Sequence, residues 1–91
     1  MQEIRLRPEA EQDLDEAAIW YDKQQPGLGQ RFLDEVLATF VSIAEMPRKY
    51  PSVHRATRRA LIRRFPFGVF YRIDELGVVV VASPILRSRR R

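Results

Sequence analysis

The sequence predicts an α+β domain in two layers, β-α-α-β-β-β, with a helical hairpin packed on a mainly antiparallel sheet. Two observations carry this expectation. Before Pro47, apolar residues recur with the 3.6-residue period of helices over two stretches, and after it the period changes to the 2 of strands. The break between the two helical stretches, "QQPGLG", is short enough to force an antiparallel turn.

The opening "EIRLR" sets Ile4 and Leu6 against charged neighbours, as in a half-buried strand. Pro8 suits the first turn of a helix, and Glu9, Glu11 and Asp13 suit the positive end of its dipole. Leu14, Ala17, Ala18 and Tyr21 then follow at i, i+3, i+4 and i+7, which predicts a helix over about 8–25. Pro26, Gly27 and Gly29 punctuate the chain. A second helix is expected with Leu33, Val36, Leu37, Phe40, Ile43 and Ala44 on its buried stripe, ending before Pro47. "PRKYPSVHR" reads as a loop, with Tyr50 packing it against the sheet. "TRRALIRRF" reads as a strand, and "FGVFYRI" as another with Phe67, Val69, Tyr71 and Ile73 on one face and Phe70 and Arg72 on the other. "DELG" closes a hairpin in which Gly77 is free to take positive φ. "VVVVASPIL" is a β-branched run suited to a central strand buried on both faces.

The 91 residues predict one domain, 1–91, with one modest core. A hydrophobic share of 45% beside a charged share of 31% fits an ordered chain. With no cysteine and one histidine, His54, neither disulfides nor a thiolate or histidine metal centre is expected, and no small-molecule cofactor is implied. The charged opening has no apolar h-region after it, and no later run reaches the length of a membrane span, so the expected location is the cytoplasm.

Charge is unevenly divided. Residues 1–47 hold four basic and ten acidic groups, a net of −6, and residues 48–91 hold twelve basic and two acidic groups, a net of +10, which together make the +4 of the chain. Such polarity predicts one positive face directed at an acidic partner or a nucleic acid.

The strings "WYDKQQPGLGQRFLDEV", "MPRKYP" and "RRALIRRFPFGVFYRID", followed by the valine-rich strand, resemble in order and spacing the toxins of the RelE/ParE superfamily of bacterial type II toxin–antitoxin modules. The resemblance covers essentially the whole chain. Its most specific pieces are "PGLGQRF" and "RRFPFGVFYRI", and it is closer to the ParE and plasmid-stabilisation branch. It implies the β-α-α-β-β-β fold, an antitoxin that neutralises the protein, and action either on DNA gyrase or on ribosome-bound mRNA.

Cleaving RNA without a metal requires a base for the 2′-hydroxyl, a stabiliser of the phosphorane and an acid for the leaving oxygen. Arginine supplies only the second of these. In nuclease members of the superfamily the last strand ends in a segment with a His or Tyr, and many relatives read like "ILHSRRDP"; here the segment is "ILRSRRR", with Arg87 in the place of the histidine and Arg91 in that of the acid. A nuclease would be assembled from Arg63, Arg64, Arg72 and Arg87 with Tyr71 as acid. A gyrase inhibitor needs no catalytic group, only an adhesive surface, for which Arg58, Arg59, Arg63, Arg64, Arg72, Arg87, Arg89, Arg90 and Arg91 are the expected contributors. For the antitoxin, the groove of the helical hairpin and an open sheet edge are the expected docking places, with Trp20, Tyr21 and Phe32 as contacts. A third reading is a small basic module that binds nucleic acid directly, with aromatics and arginines interleaved in "RRFPFGVFYR".

Overall fold

The computed structural model describes residues 2–81. Strand β1 (Ile4–Leu6) leads into helix α1 (Pro8–Gln24), helix α2 (Leu28–Glu45) and four strands, β2 (Ser52–His54), β3 (Thr57–Leu61), β4 (Gly68–Asp74) and β5 (Gly77–Val81). The sheet order is β1-β5-β4-β3-β2; β1 pairs with β5 in parallel, and the remaining pairs are antiparallel. This is the expected two-layer α+β arrangement with one strand more. The short β2 falls in the stretch read as a loop, because three exposed residues bounded by a register irregularity carry no alternation to detect.

Pro8 occupies the first turn of α1, with Glu9 and Glu11 beside it. The hairpin turn is fastened by Asp22, whose Oδ1 accepts hydrogen bonds from the backbone N–H of Gly27 at 3.0 Å and of Gly29 at 3.2 Å. A carboxylate from α1 thereby satisfies N–H groups at the start of α2, which a helix cannot pair internally. At Gly29 the two helices approach too closely for a side chain, since a Cβ there would lie 2.5 Å from the Ala18 carbonyl oxygen.

The buried stripe of α2 is Phe32, Val36, Thr39 and Ile43, with Gly29 before it and Ala44 beside it. Leu37, expected on this stripe, is 61% exposed. Thr39 is accepted inside because its hydroxyl donates to the Glu35 carbonyl at 2.9 Å.

Between the layers, Ala10, Leu14 and Ala17 of α1 and the stripe of α2 meet Ala60, Ile62, Phe67, Val69, Tyr71, Val78 and Val80. One end of this core is aromatic. The Phe32 ring lies 5.1 Å from that of Tyr21, 5.3 Å from Phe65 and 5.2 Å from Phe67. Strand β5 lies inside the sheet between β1 and β4, as its β-branched run predicts, although only Val78 and Val80 are buried while Val79 and Val81 are half-buried on the helix-free face. The β4–β5 hairpin turns at Glu75 and Leu76, with Gly77 at φ 124° opposite Asp74.

Candidate functional site

The arginines expected to form one adhesive face are distributed by the strand register. In β3, Arg58 stands opposite Tyr71 and Ala60 opposite Val69, so Arg58 shares the helix-facing side. There its guanidinium donates to the carbonyls of Tyr50 at 2.5 Å and Arg48 at 3.1 Å, tying down the loop after α2. Arg59, opposite Phe70, and Arg72, opposite Val79, lie on the helix-free side. Arg72 Nε donates to the Thr57 hydroxyl at 3.1 Å. Arg63 and Arg64 occupy the turn between β3 and β4, both exposed, and Arg64 is a non-glycine residue at φ 70°. Arg87, Arg89, Arg90 and Arg91 lie outside the described residues.

Among the described residues one ion pair forms, Arg5 with Asp74 at 2.7 Å. The Arg5 hydrogen bond holds the Asp74 carboxyl below its ordinary value. Arg59, Arg63, Arg64 and Arg72 make no such pair among these residues.

The nuclease arrangement loses its acid. Tyr71 is fully buried, its hydroxyl donates to the Pro47 carbonyl at 2.5 Å, and burial pushes the phenol above its ordinary value. It has no surface from which to reach a phosphate. His54 is exposed on β2, and the Tyr50 hydroxyl is engaged with Ser42 Oγ at 2.8 Å, where Lys49 Nζ also donates at 3.1 Å. Among the described residues no group of three or more histidine, cysteine or acidic side chains is placed to hold a metal. Nor is any described helix long and apolar enough to cross a membrane.

The three residues expected to meet an antitoxin separate in the same way. Trp20 is 56% exposed, with its ring edge-on to Tyr21 at 5.1 Å. Tyr21 is half-buried, packed on Phe32 and at 4.9 Å from Phe65. Phe32 is fully buried and offers no surface; it supports the Tyr21 ring from inside. Beside Tyr21 an open groove of about 420 Å³ runs between the hairpin end and the β3–β4 turn, lined also by Leu28, Arg31, Asp34, Glu35, Arg64, Phe65 and Pro66. Arg31, Phe65 and Pro66 escaped the sequence reading. For Phe65 and Pro66 the signal was the proline of the "RRFPFG" turn, which marks a break between strands; Arg31, on α2, carried no signal of its own.

A helical hairpin on one face of a five-stranded sheet, with exposed guanidinium groups at one turn and an aromatic groove beside it, defines a small two-layer α+β protein. The chain belongs to the family described as the ParE toxin of the type II toxin–antitoxin system parDE, which matches residues 4–90. Among solved structures, a chain of the chromosomal ParDE toxin–antitoxin system from P. aeruginosa has the same fold, with a TM-score of 0.79 at 16% identity over 91% of this chain and 94% of that one. No curated protein matches the chain.

Proposed function

We propose that this toxin inhibits DNA gyrase by adhesion, without bond-making chemistry of its own, and that an acidic antitoxin neutralises it in the cytoplasm. The observation that carries this reading is the state of its polar groups. Arg59, Arg63, Arg64 and Arg72 stay free of ion pairs among the described residues, while the tyrosine that a nuclease would use as acid is enclosed in the core. Guanidinium groups without an ion pair are suited to carboxylate recognition and supply no proton at neutral pH. The antitoxin reading is supported by exposed Trp20 beside the Tyr21 groove, and by β1 and β2 being the edge strands of the sheet among the described residues.

The test runs the purified protein in two assays side by side, supercoiling by gyrase and mRNA integrity in a translating extract. Supercoiling is expected to stop while mRNA stays intact. Cleaved mRNA with unaffected supercoiling would replace this reading with ribosome-dependent endonuclease action, and failure of both would leave neither target standing.

A further inference from the structure

The groove beside Tyr21 contains two cations on different walls, Arg31 from α2 and Arg64 from the β3–β4 turn, with the aromatic rings of Tyr21 and Phe65 between the hairpin and the turn. Neither guanidinium forms a salt bridge among the described residues. Arg31 has Asp34 and Glu35 three and four positions on, the spacing at which helix pairs meet, yet the pair does not form. A cation placed N-terminal to its acid is the weaker order, and Asp34 is instead bonded by Gln30 Nε2 at 2.9 Å.

Arg64 adds an independent observation. Its φ of 70° is a conformation that glycine or asparagine adopts at lower cost. Arg55 shares such a φ, 52°, so the outlier points to use of the side chain only where that side chain also lines a site, as that of Arg64 does and that of Arg55 does not. The turn that carries Arg64 also delivers Phe65 to the aromatic cluster, so the guanidinium and the ring enter the groove together.

We propose that Arg64, assisted by Arg31, is the specificity determinant for the antitoxin, and that the occupant of the groove is an antitoxin segment carrying a Glu or Asp next to an aromatic or aliphatic side chain. This rests on the reading that an antitoxin binds the toxin. The apolar side chain covers Tyr21 and Phe65, and the carboxylate takes the bidentate contacts of the two guanidinium groups. Asp34 and Glu35 on the α2 wall repel an acidic segment in any other register. The position of one carboxylate, more than total acidity, is then what the groove selects.

The experiment measures affinity of the cognate antitoxin for the wild-type toxin and for Arg64→Gly, Arg64→Lys, Arg31→Gln and the Arg31→Gln/Arg64→Gly pair. Arg55→Gly is the control, since Arg55 also has positive φ, 52°, but sits in the β2–β3 turn and does not line the groove. Both glycine variants are expected to keep the wild-type melting temperature, because relief of the backbone offsets the greater chain entropy of glycine. Arg64→Gly should bind about tenfold more weakly and the pair about a hundredfold. Arg64→Lys should recover part of the loss, and Arg55→Gly should bind as wild type. Unchanged affinity of the folded Arg64→Gly variant overturns the proposal, as does an equal loss in Arg55→Gly, which would assign the effect to net charge. Wild-type toxin that fails to bind the antitoxin removes the partner reading itself, a different result from the other two.

Discussion

Tyr71 closes the core with its ring and fastens the loop after α2 through its hydroxyl, which donates to Pro47 while Arg58 donates to Arg48 and Tyr50 in the same loop. Burial is the main reason its phenol titrates above the ordinary 10.0; Arg58 pulls the other way and Tyr50 adds to the rise. The folded protein therefore holds this proton more tightly than the unfolded chain does. The stabilisation is complete below pH 10 and is lost as pH rises through the folded value. Asp74 has the opposite sign. Arg5 depresses its carboxyl below 3.8, so its contribution is present above that value and disappears as pH falls through the folded one. Tyr71→Phe is expected to lower stability by about 1 kcal/mol at neutral pH, since the Pro47 carbonyl loses its donor. It should also flatten part of the alkaline decline in urea unfolding and leave toxicity unchanged. A folded Tyr71→Phe protein that is no longer toxic would place the phenol in the chemistry after all. The sequence showed that Tyr71 belonged to an alternating apolar set, which is why its burial was legible. It gave no sign that Arg58 would be spent on loop carbonyls, because alternation tells which face a side chain takes and nothing of the loop that folds across that face.

At the scale of the element, α2 explains why the hairpin was legible and its buried face less so. Leu28, Phe32, Leu33, Val36, Leu37, Phe40, Val41, Ile43 and Ala44 put apolar groups around more than half of the helix, so several stripes fit a 3.6-residue period. Gly29 leaves no room for a side chain against the Ala18 carbonyl, and the face of α2 that is buried carries Phe32 and not Leu37. Leu37 and Val41, one turn apart, are left 61% and 51% exposed. Leu37→Lys and Val41→Lys are therefore expected to change stability by less than about 0.5 kcal/mol. Phe32→Ala, which empties the centre of the aromatic cluster, should cost about 4 kcal/mol. Urea midpoints check both. A loss above about 2 kcal/mol in either lysine variant would mean that α2 packs on a different face. Strand β2 escaped detection for a related reason: three exposed residues contribute backbone pairing without an apolar pattern.

Across the whole molecule, residues 1–47, with a net of −6, supply β1 and both helices, and residues 48–81, with eight basic and two acidic groups and so a net of +6, supply β2 to β5. The acidic layer is thus the helical one. The positive sheet layer is not a uniform patch: Arg58 serves the loop, Arg59 and Arg72 lie on the helix-free side, and Arg63 and Arg64 lie at one turn. Two functions proposed for the cations can then be separated by mutation. If the antitoxin reads Arg64 and Arg31 at the groove while gyrase is held by the later arginines, replacing Arg87, Arg89 and Arg90 together by alanine should abolish toxicity and leave folding and antitoxin affinity nearly intact. Long-range attraction to an acidic target is screened within about 10 Å at 0.1 M salt. Inhibition by the wild-type protein should accordingly set in more slowly as ionic strength rises, because steering acts on association. Supercoiling assays on the folded triple variant, run over a salt series beside wild type, decide the matter. Retained inhibition with an unaltered salt dependence would show that the later arginines do not hold the target, and would move the adhesive surface to Arg59, Arg63 and Arg72.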